Sequence, residues 1–342
     1  MLDEIHEQPQ VIERVIALEH DNVKRLCRAM NERGVIGIAI ASRGTSDNAA
    51  TFAKYIFEVV NGIPVCLIAP SVFTLYRAEL NLAQYLVLGI SQSGESTDVV
   101  EVIKQARSMG ALTAGITNVH ESSLHQVAEY CMYCHAGEER SVAATKTYTS
   151  TLALIYLISS TLSKNEDMVD GLRTAAGAIA RIFSIEGGMA QAVERYRYME
   201  ECIVTARGLN QATAQEAALK LEETCYIVAK PFSSAEIMHG PIAVIEEGFP
   251  VFLYAPSGKG YPSMLELADK LEEKSAEMII ISAEEHILRK ARTPLRVPVN
   301  VPEIVSPVVY IAVGQLFAQY LSVAKGYDPD KPRGLSKVTM TM

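Results

Sequence analysis

The sequence predicts an α/β protein built from two tandem doubly wound parallel-sheet domains that are related by internal duplication. Matching dipeptides recur at an offset of 164 residues: Arg43-Gly44 matches Arg207-Gly208, and Ser93-Gly94 matches Ser257-Gly258. Apolar runs between and beyond these pairs coincide at the same offset without a gap. A repeat of this length is too long for a solenoid unit, so it indicates two copies of a whole domain.

The chain of 342 residues is long enough for two hydrophobic cores of ordinary size. The predicted organisation is an N-terminal helical segment (1–34), a first domain (35–164), a helical linker (165–198), a second domain (199–326) and a C-terminal tail (327–342). We expect the tail to reach the active site.

Short apolar runs alternate with helical patterns in each half. In the first half the predicted strands are 35–41, 64–68, 85–90 and 112–117, and the predicted helices are 10–33, 49–60, 73–80 and 99–109. Gly110 ends the last of these helices. Continuously apolar strands that alternate with helices indicate a parallel sheet covered on both faces.

Composition and charge indicate a globular protein in the cytoplasm. Hydrophobic residues make up 49% of the chain and charged residues 21%. A net charge of −9 and a pI near 5.4 argue against a nucleic-acid surface. The first eleven residues lack the basic-then-apolar pattern of a signal peptide, and apolar stretches such as 152–160 are too short to span a bilayer. We therefore expect neither a nucleic-acid partner nor a membrane.

The six cysteines include Cys131 and Cys134, which with His135 match the haem-attachment pattern C-x-x-C-H. The equivalent run of the second half, 295–299, has strand character, so we interpret the two thiols as part of a strand, in preference to a haem or redox site. Several histidines lack paired ligands at zinc spacing: His6, His20, His120, His125, His135 and His286. We expect no metal and no organic cofactor.

A hydroxyl-rich loop, Ser91 to Thr97, lies between a predicted strand and a helix N-terminus. Hydroxyls, free backbone N–H groups and the positive helix end together favour a bound anion. Because no Walker lysine follows, the pattern favours a small phosphomonoester over a nucleotide. Alternatively, the hydroxyls serve only as helix caps. Glu95 would repel phosphate unless its carboxylate points away.

The second half has lost the serine cluster and carries a different set of polar residues. Glu216, Lys220 and Glu223 are spaced by four and then three residues, which puts them on one stripe of a helix. A surface stripe of ion pairs would have the same spacing. His239 precedes Gly240-Pro241 and is a candidate functional histidine. The same pattern would be seen for a histidine that simply ends a helix and has no further role.

Four motifs in order resemble the isomerase half of glucosamine-6-phosphate synthase. They are Ser-Gln-Ser-Gly-Glu-Ser (91–96), Ala-Leu-Lys-Leu-Glu-Glu (218–223), His239-Gly240-Pro241 and Pro-Arg-Gly-Leu-Ser-Lys (332–337). That half is a tandem of SIS (sugar isomerase) domains with a flavodoxin-like fold, and the resemblance covers nearly the whole chain. It implies a homodimer in which each active site lies between two SIS domains and receives His239 from the other subunit.

The resemblance also implies which residues bind the substrate, a hexose 6-phosphate or amino sugar 6-phosphate. The expected substrate-binding residues are Gly44, Thr45, Ser46, Ser91, Gln92, Ser93, Ser96 and Ser336. The phosphate would bind Ser91, Gln92, Ser93 and Ser96, with help from Ser46. The family usually has threonine where this chain has Ser96, a change that keeps the hydroxyl.

The catalytic residues follow from the same resemblance. Glu223 matches the base that moves a proton between C1 and C2, and His239 matches the residue that opens the sugar ring. Lys337 matches the lysine that meets the open-chain carbonyl, while Glu216 and Lys220 match supporting polar residues. Glu222 departs from the pattern, because the synthase has a lysine at this position.

The expected function is an amino-sugar-phosphate deaminase and isomerase. The synthase obtains ammonia from glutamine with an amidotransferase domain, whereas this sequence starts Met1-Leu2-Asp3 and passes directly into SIS sequence. We therefore expect glucosamine 6-phosphate and water to give fructose 6-phosphate and ammonia. The loop 42–50 resembles SIS-type glucosamine-6-phosphate deaminases, and Arg43 stands where the synthase has cysteine.

Three alternatives remain open at this point. A fructosamine-6-phosphate deglycase would use the same fold and similar groups. The isomerase subunit of an ammonia-fed or partner-fed synthase would keep every residue named above. A non-catalytic sugar-phosphate-binding regulator could dispense with Glu223, His239 and Lys337, so the presence of all three favours catalysis.

Overall fold

The computed structural model describes residues 1–337, and the polypeptide forms two compact units. The N-terminal unit comprises Gln10–Glu139, Lys146–Arg173 and, among the described residues, 336–337. The C-terminal unit comprises Met1–Pro9, Arg140–Thr145 and Thr174–Leu335. Neither unit is one continuous stretch of chain. The domain boundaries predicted from the sequence stay a prediction, and residues 338–342 of the predicted tail lie outside the described residues.

The N-terminal unit contains a five-stranded parallel sheet in the order β2-β1-β3-β4-β5. Its elements are α2 (Gln8–Glu32), β1 (Gly37–Ala41), α3 (Thr45–Asn61), β2 (Val65–Leu67), α4 (Ser71–Thr74), β3 (Tyr85–Ile90), α5 (Thr97–Ser108), β4 (Leu112–Thr117), α6 (Ser123–Val127), β5 (Tyr130–Tyr133), α7 (Lys146–Ser163) and the start of α8 (Glu166–Ile182). Helix α1 (Leu2–His6) precedes them and belongs to the C-terminal unit.

The C-terminal unit repeats this architecture with a parallel sheet in the order β7-β6-β8-β9-β10. Its further elements are α9 (Glu186–Ala192), β6 (Glu201–Ala206), α10 (Gln211–Cys225), β7 (Val228–Ser233), β8 (Pro250–Tyr254), α11 (Tyr261–Glu273), β9 (Glu277–Ser282), α12 (Glu285–Leu288), β10 (Thr293–Arg296) and α13 (Ser306–Ala324). Since both sheets have the same strand order, the predicted fold class of two duplicated doubly wound domains is confirmed.

Apolar strands pack against helices to form a hydrophobic core in each unit. In the N-terminal unit Val87 on β3 packs with Val99 and Ile103 on α5, and in the C-terminal unit Leu253 packs with Leu267. Within residues 1–337, α13 is the one helix long and apolar enough to cross a membrane by length and composition. Its apolar window is 83% buried inside the protein, as expected of a core helix.

Two local expectations have different outcomes. The helix predicted over 73–80 is wrong in extent, because α4 ends at Thr74 and Arg77 adopts a left-handed backbone with φ 50°.

Cys131 lies in β5 as predicted, with Cys134 just beyond the strand. Burial raises the pKa of Cys131 to about 12 and that of Cys134 to about 11, so both thiols are protonated at neutral pH.

Candidate functional site

The predicted phosphate residues of the N-terminal unit meet at the point where the strand order reverses. The chain leaves β1 through Ser42 to Gly44 and leaves β3 through Ser91 to Ser96, and these two strands are neighbours in the sheet. Ligands of doubly wound sheets bind at this switch point, outside the carboxyl ends of the strands. The structure therefore brings Gly44, Thr45 and Ser46 to the same sheet edge as the loop 91–96.

Gly94 fixes the shape of the 91–96 loop. Its φ is 68°, and a Cβ added there would lie 2.2 Å from Oγ of Ser122 and 2.9 Å from Oγ1 of Thr117. Ser91 is buried, and its Oγ accepts a hydrogen bond from the backbone N of Gly94 at 3.2 Å. Ser93 is partly exposed. Only glycine fits where the loop turns, so the backbone can approach an anion closely.

Glu95 directs its carboxylate away from the loop. One oxygen accepts a hydrogen bond from the backbone N of Ser123 at 2.9 Å, and the other accepts from the Ser123 hydroxyl at 2.6 Å. The side chain therefore holds the start of α6. An anion site in this loop needs such an orientation, because a free carboxylate would repel phosphate.

Arg43 joins the loop after β1 to the first turn of α5 at the switch point. Its Nε donates to Oδ2 of the buried Asp98 on α5 at 2.7 Å, while 45% of the Arg43 side chain remains exposed. The pKa of Asp47 is raised, chiefly by burial and also by the nearby charge of Asp98. A hydrogen bond from Ser42 and the charge of Arg43 oppose this shift without cancelling it. Sequence reasoning noted Arg43 only as a departure from the synthase, whereas in the structure it is a partly exposed cation that is paired with Asp98 beside the loop.

The equivalent loop of the C-terminal unit is occupied by the protein's own carboxylate. Glu303 accepts hydrogen bonds from the backbone N of Lys259 at 2.7 Å and of Gly260 at 3.0 Å, just before α11. A Cβ added at Gly258 would lie 2.4 Å from Oε2 of Glu303. An internal anion thus binds the amides that an external anion would need, in agreement with the loss of the serine cluster from this loop.

Helix α10 carries the predicted charged stripe, and the stripe is buried. Nζ of Lys220 lies 3.2 Å from Oε1 of Glu216 and 2.6 Å from Oε2 of Glu223. The side chains of Lys220 and Glu216 are fully buried, whereas 24% of Glu223 is exposed. Burial by itself lowers the pKa of Lys220, but the two carboxylates raise it more, so the net shift is upward. The alternative of a solvent-exposed stripe is therefore wrong.

Glu223 lines an open cavity of about 250 Å³. The other lining residues are Glu222, Tyr226, Arg333 and Leu335. The Arg333 guanidinium lies 4.1 Å from the centroid of the Tyr226 ring. The backbone N of Arg333 also donates a hydrogen bond to the Tyr226 hydroxyl at 2.8 Å. Burial, together with the charge of Glu223, raises the pKa of Glu222. The helix thus presents two adjacent carboxylates to one cavity.

His239 lies at the end of a short 3₁₀ turn, Glu236–His239, and is exposed. Gly240, with φ 144°, and Pro241 follow it and turn the chain. Among residues 1–337, no hydrogen bond or ion pair joins the His239 ring to the α10 stripe. Nor do three or more His, Cys, Asp or Glu side chains of the described chain form a group that could hold a metal ion.

Lys337, the last described residue, contacts a carboxylate that sequence reasoning missed. Its Nζ donates to Oε2 of Glu139 at 3.2 Å, and the Glu139 side chain is fully buried. The adjacent Ser336 lies in the same unit. The repeat offset offers a signal for Glu139, because Glu303 stands 164 residues further along the chain. Both predicted site residues of this tail, Ser336 and Lys337, were named from their motif alone.

Comparison with known proteins agrees with this architecture. The model of the SIS domain matches residues 37–160 and 199–324. The glutamine–fructose-6-phosphate aminotransferase (isomerizing) of Methanothermobacter thermautotrophicus is 34% identical over 98% of this chain, but the match spans 56% of that relative's length. The chain therefore spans about half the length of such curated relatives.

Two solved structures have the same fold over nearly the whole chain. One is described as a putative phosphosugar isomerase and comes from Silicibacter pomeroyi DSS-3. It has a TM-score of 0.87 and 30% sequence identity, and the match covers 96% of this chain and 98% of the other. The other is the C-terminal domain of glucosamine-fructose-6-phosphate aminotransferase from Francisella tularensis, with a TM-score of 0.87, 25% identity and coverage of 97% and 98%. The chain belongs to the SIS domain family, with two copies of the domain in tandem.

Proposed function

We propose that the chain is an amino-sugar-phosphate isomerase and deaminase that converts glucosamine 6-phosphate and water into fructose 6-phosphate and ammonia. The observation that carries this proposal is the buried stripe of α10. A lysine with no exposed surface lies between two carboxylates, and one of these, Glu223, also lines a cavity. A buried charge cluster is costly to maintain, and such clusters concentrate at catalytic sites.

The substrate phosphate binds the loop 91–96 in this proposal. Ser91, Gln92, Ser93 and Ser96 supply hydroxyl and amide groups at the N-terminus of α5, with Ser46 from the neighbouring loop. Glu95 does not oppose the anion because Ser123 binds its carboxylate. Arg43, which is paired with Asp98 and remains partly exposed, lies at the same sheet edge.

Glu223 is the base in the proposed reaction. Once the ring is open, a carboxylate can remove the proton from C2, next to the aldehyde, and return a proton to C1. The product is a C2 imine, which water hydrolyses to the ketone and ammonia. Lys220 fixes the orientation of Glu223 through the 2.6 Å ion pair, and Glu216 supports Lys220 from the buried side. His239 opens the sugar ring, since imidazole transfers protons near neutral pH.

Lys337 takes part in the same reaction through its amine, which meets the open-chain carbonyl. A primary amine can condense with the ketose carbonyl to an imine and so activate the adjacent carbon. We further propose that two copies of the chain form a homodimer and that His239 of each completes the site of the other. The compartment proposed is the cytoplasm, in keeping with six cysteines that are all free thiols.

The isomerase part of a synthase supplied with ammonia is the second candidate. Its support is the 34% identity to an aminotransferase over 98% of the chain. The same residues would act, with ammonia adding to fructose 6-phosphate instead of leaving. The direction is then set by concentrations, so one assay run both ways compares the two candidates.

The test is to measure ammonia and ketose phosphate released from glucosamine 6-phosphate, with galactosamine 6-phosphate and a fructosamine 6-phosphate alongside. Equal release of ammonia and fructose 6-phosphate is the expected result. Glucosamine 6-phosphate formed only from fructose 6-phosphate and ammonium would favour the synthase candidate. Turnover of the fructosamine alone would establish the deglycase. Binding of sugar phosphates without any turnover would contradict catalysis and indicate a regulator.

A further inference from the structure

Glu139 is a buried carboxylate that contacts the ammonium group of Lys337, in the C-terminal tail. Its Oε1 accepts a hydrogen bond from the backbone N of Thr147 at 3.1 Å, and its Oε2 accepts from the Thr147 hydroxyl at 2.6 Å. Nζ of Lys337 donates to the same Oε2 at 3.2 Å. The Glu139 side chain is fully buried, while 29% of Lys337 is exposed. A buried charge is tolerated when it is paired and hydrogen-bonded, and these contacts meet both needs.

The internal repeat shows that this position has two different uses. Glu303, the equivalent residue of the C-terminal unit, binds the amides of Lys259 and Gly260 and so closes the anion loop of its own sheet. In the N-terminal unit the loop is held by Ser91 instead, and the carboxylate of Glu139 contacts Lys337. Glu303 therefore stabilises the loop before α11. Glu139 instead contacts Lys337, a long flexible side chain that ends in a primary amine.

We propose that Glu139 is a positioning residue for Lys337 that also accepts a proton from its ammonium group. This inference rests on the proposed function, in which the Lys337 amine condenses with the open-chain carbonyl. The ammonium first gives one proton to Glu139, and the neutral amine adds to the carbonyl carbon. Glu139 then returns the proton to the hydroxyl that leaves as water, and a protonated imine remains. Atoms and charge balance without another reactant.

Two features of the geometry support the assignment. Thr147 binds both oxygens of Glu139, so the carboxylate cannot rotate away from the lysine without losing two hydrogen bonds. Lys337 is the partly exposed member of the pair, so its amine can be reached by a substrate while the carboxylate is shielded from water. A shielded base beside an accessible amine is the arrangement that proton transfer needs.

The test is borohydride trapping of the Lys337 imine with fructose 6-phosphate, followed by mass spectrometry of the tail peptide and by the pH profile of turnover. Glu139→Gln keeps the shape of the side chain but cannot take the proton. We expect trapping and kcat to fall on the order of 10²-fold, with little change in KM, and the pH optimum to move upward because solvent base must replace the carboxylate. Glu79→Gln, the same change at an exposed position, should behave like the wild-type protein.

The outcomes separate this inference from the proposed function. A wild-type protein that forms no adduct at Lys337 overturns the inference, and a lack of turnover as well overturns the proposed function. An adduct in the wild-type protein that forms equally fast in Glu139→Gln, with the same pH optimum, overturns the inference alone. If Glu139→Gln does not fold, Glu139→Asp keeps the charge and shortens its reach. Slower trapping with an unchanged pH optimum then supports the inference, and trapping at the wild-type rate overturns it.

Discussion

The buried ion pairs of α10 predict a large effect of a single charge on stability. Lys220→Met removes the ammonium but keeps an unbranched side chain of similar length. In the wild-type protein that ammonium lies 3.2 Å from Glu216 and 2.6 Å from Glu223, and neither Lys220 nor Glu216 has exposed surface. The substitution leaves a carboxylate in a buried position without the cation that faces it. Removing one partner of a buried pair costs about 3–5 kcal/mol in the free energy of unfolding.

A matched control is available on the exposed face of α11, in the same unit. Lys270 on α11 lies 2.8 Å from Glu266, also four residues away, but 37% of Lys270 and 69% of Glu266 are exposed. Exposed pairs of this spacing contribute about 0.3–0.5 kcal/mol. Lys270→Met should therefore change stability about tenfold less than Lys220→Met, although both substitutions remove the same atoms.

The assay is urea and thermal unfolding followed by circular dichroism for both variants. A loss of about 3 kcal/mol in Lys220→Met corresponds to a fall of roughly 6 °C or more in the unfolding midpoint. Because the pKa of Lys220 is raised above its ordinary value of 10.5, its contribution is fully present at neutral pH. It should be lost only as the pH rises above that value. Equal effects of the two substitutions at pH 7 would refute the reasoning.

Three further predictions concern the loops and thiols. Gly94→Ala should weaken sugar-phosphate binding at least tenfold, as measured by calorimetry, because the added Cβ would lie 2.2 Å from Oγ of Ser122. Gly110→Ala is the control and should leave binding unchanged, because there is open space around Gly110. Glu303→Gln should lower the free energy of unfolding by about 1 kcal/mol in urea titrations through loss of its charged cap, with binding unchanged. A thiol reagent should label Cys66, which is exposed, before the other five cysteines, and Cys66→Ser should abolish the fast phase.

The fold was largely predictable because apolar periodicity and the 164-residue offset act together. A strand buried on both faces reads as a continuous apolar run, and each run of the first half has a partner in the second. The exception is the segment after Pro70. Leu75 and Tyr76 are 70% and 74% exposed, so the apolar residues there do not form a core-facing stripe, and the helix ends early.

The candidate site was predictable in its parts but not in its pairings. Spacing alone placed Glu216, Lys220 and Glu223 on one stripe, yet it could not distinguish a buried cluster from surface ion pairs. Burial follows from the packing of α10 against α13 and β7, which is a tertiary property. Glu139 was missed because its partner, Lys337, is far along the chain, and pairs of such separation leave no periodic signal.

The most direct test of the account is the turnover of glucosamine 6-phosphate by Glu223→Gln, compared with the wild-type protein and with Glu266→Gln on the exposed face of α11. The account predicts that Glu223→Gln loses turnover by at least about 10²-fold while it still binds the sugar phosphate. Glu266→Gln should keep full activity. Full turnover in Glu223→Gln would contradict the assignment of its carboxylate as the base.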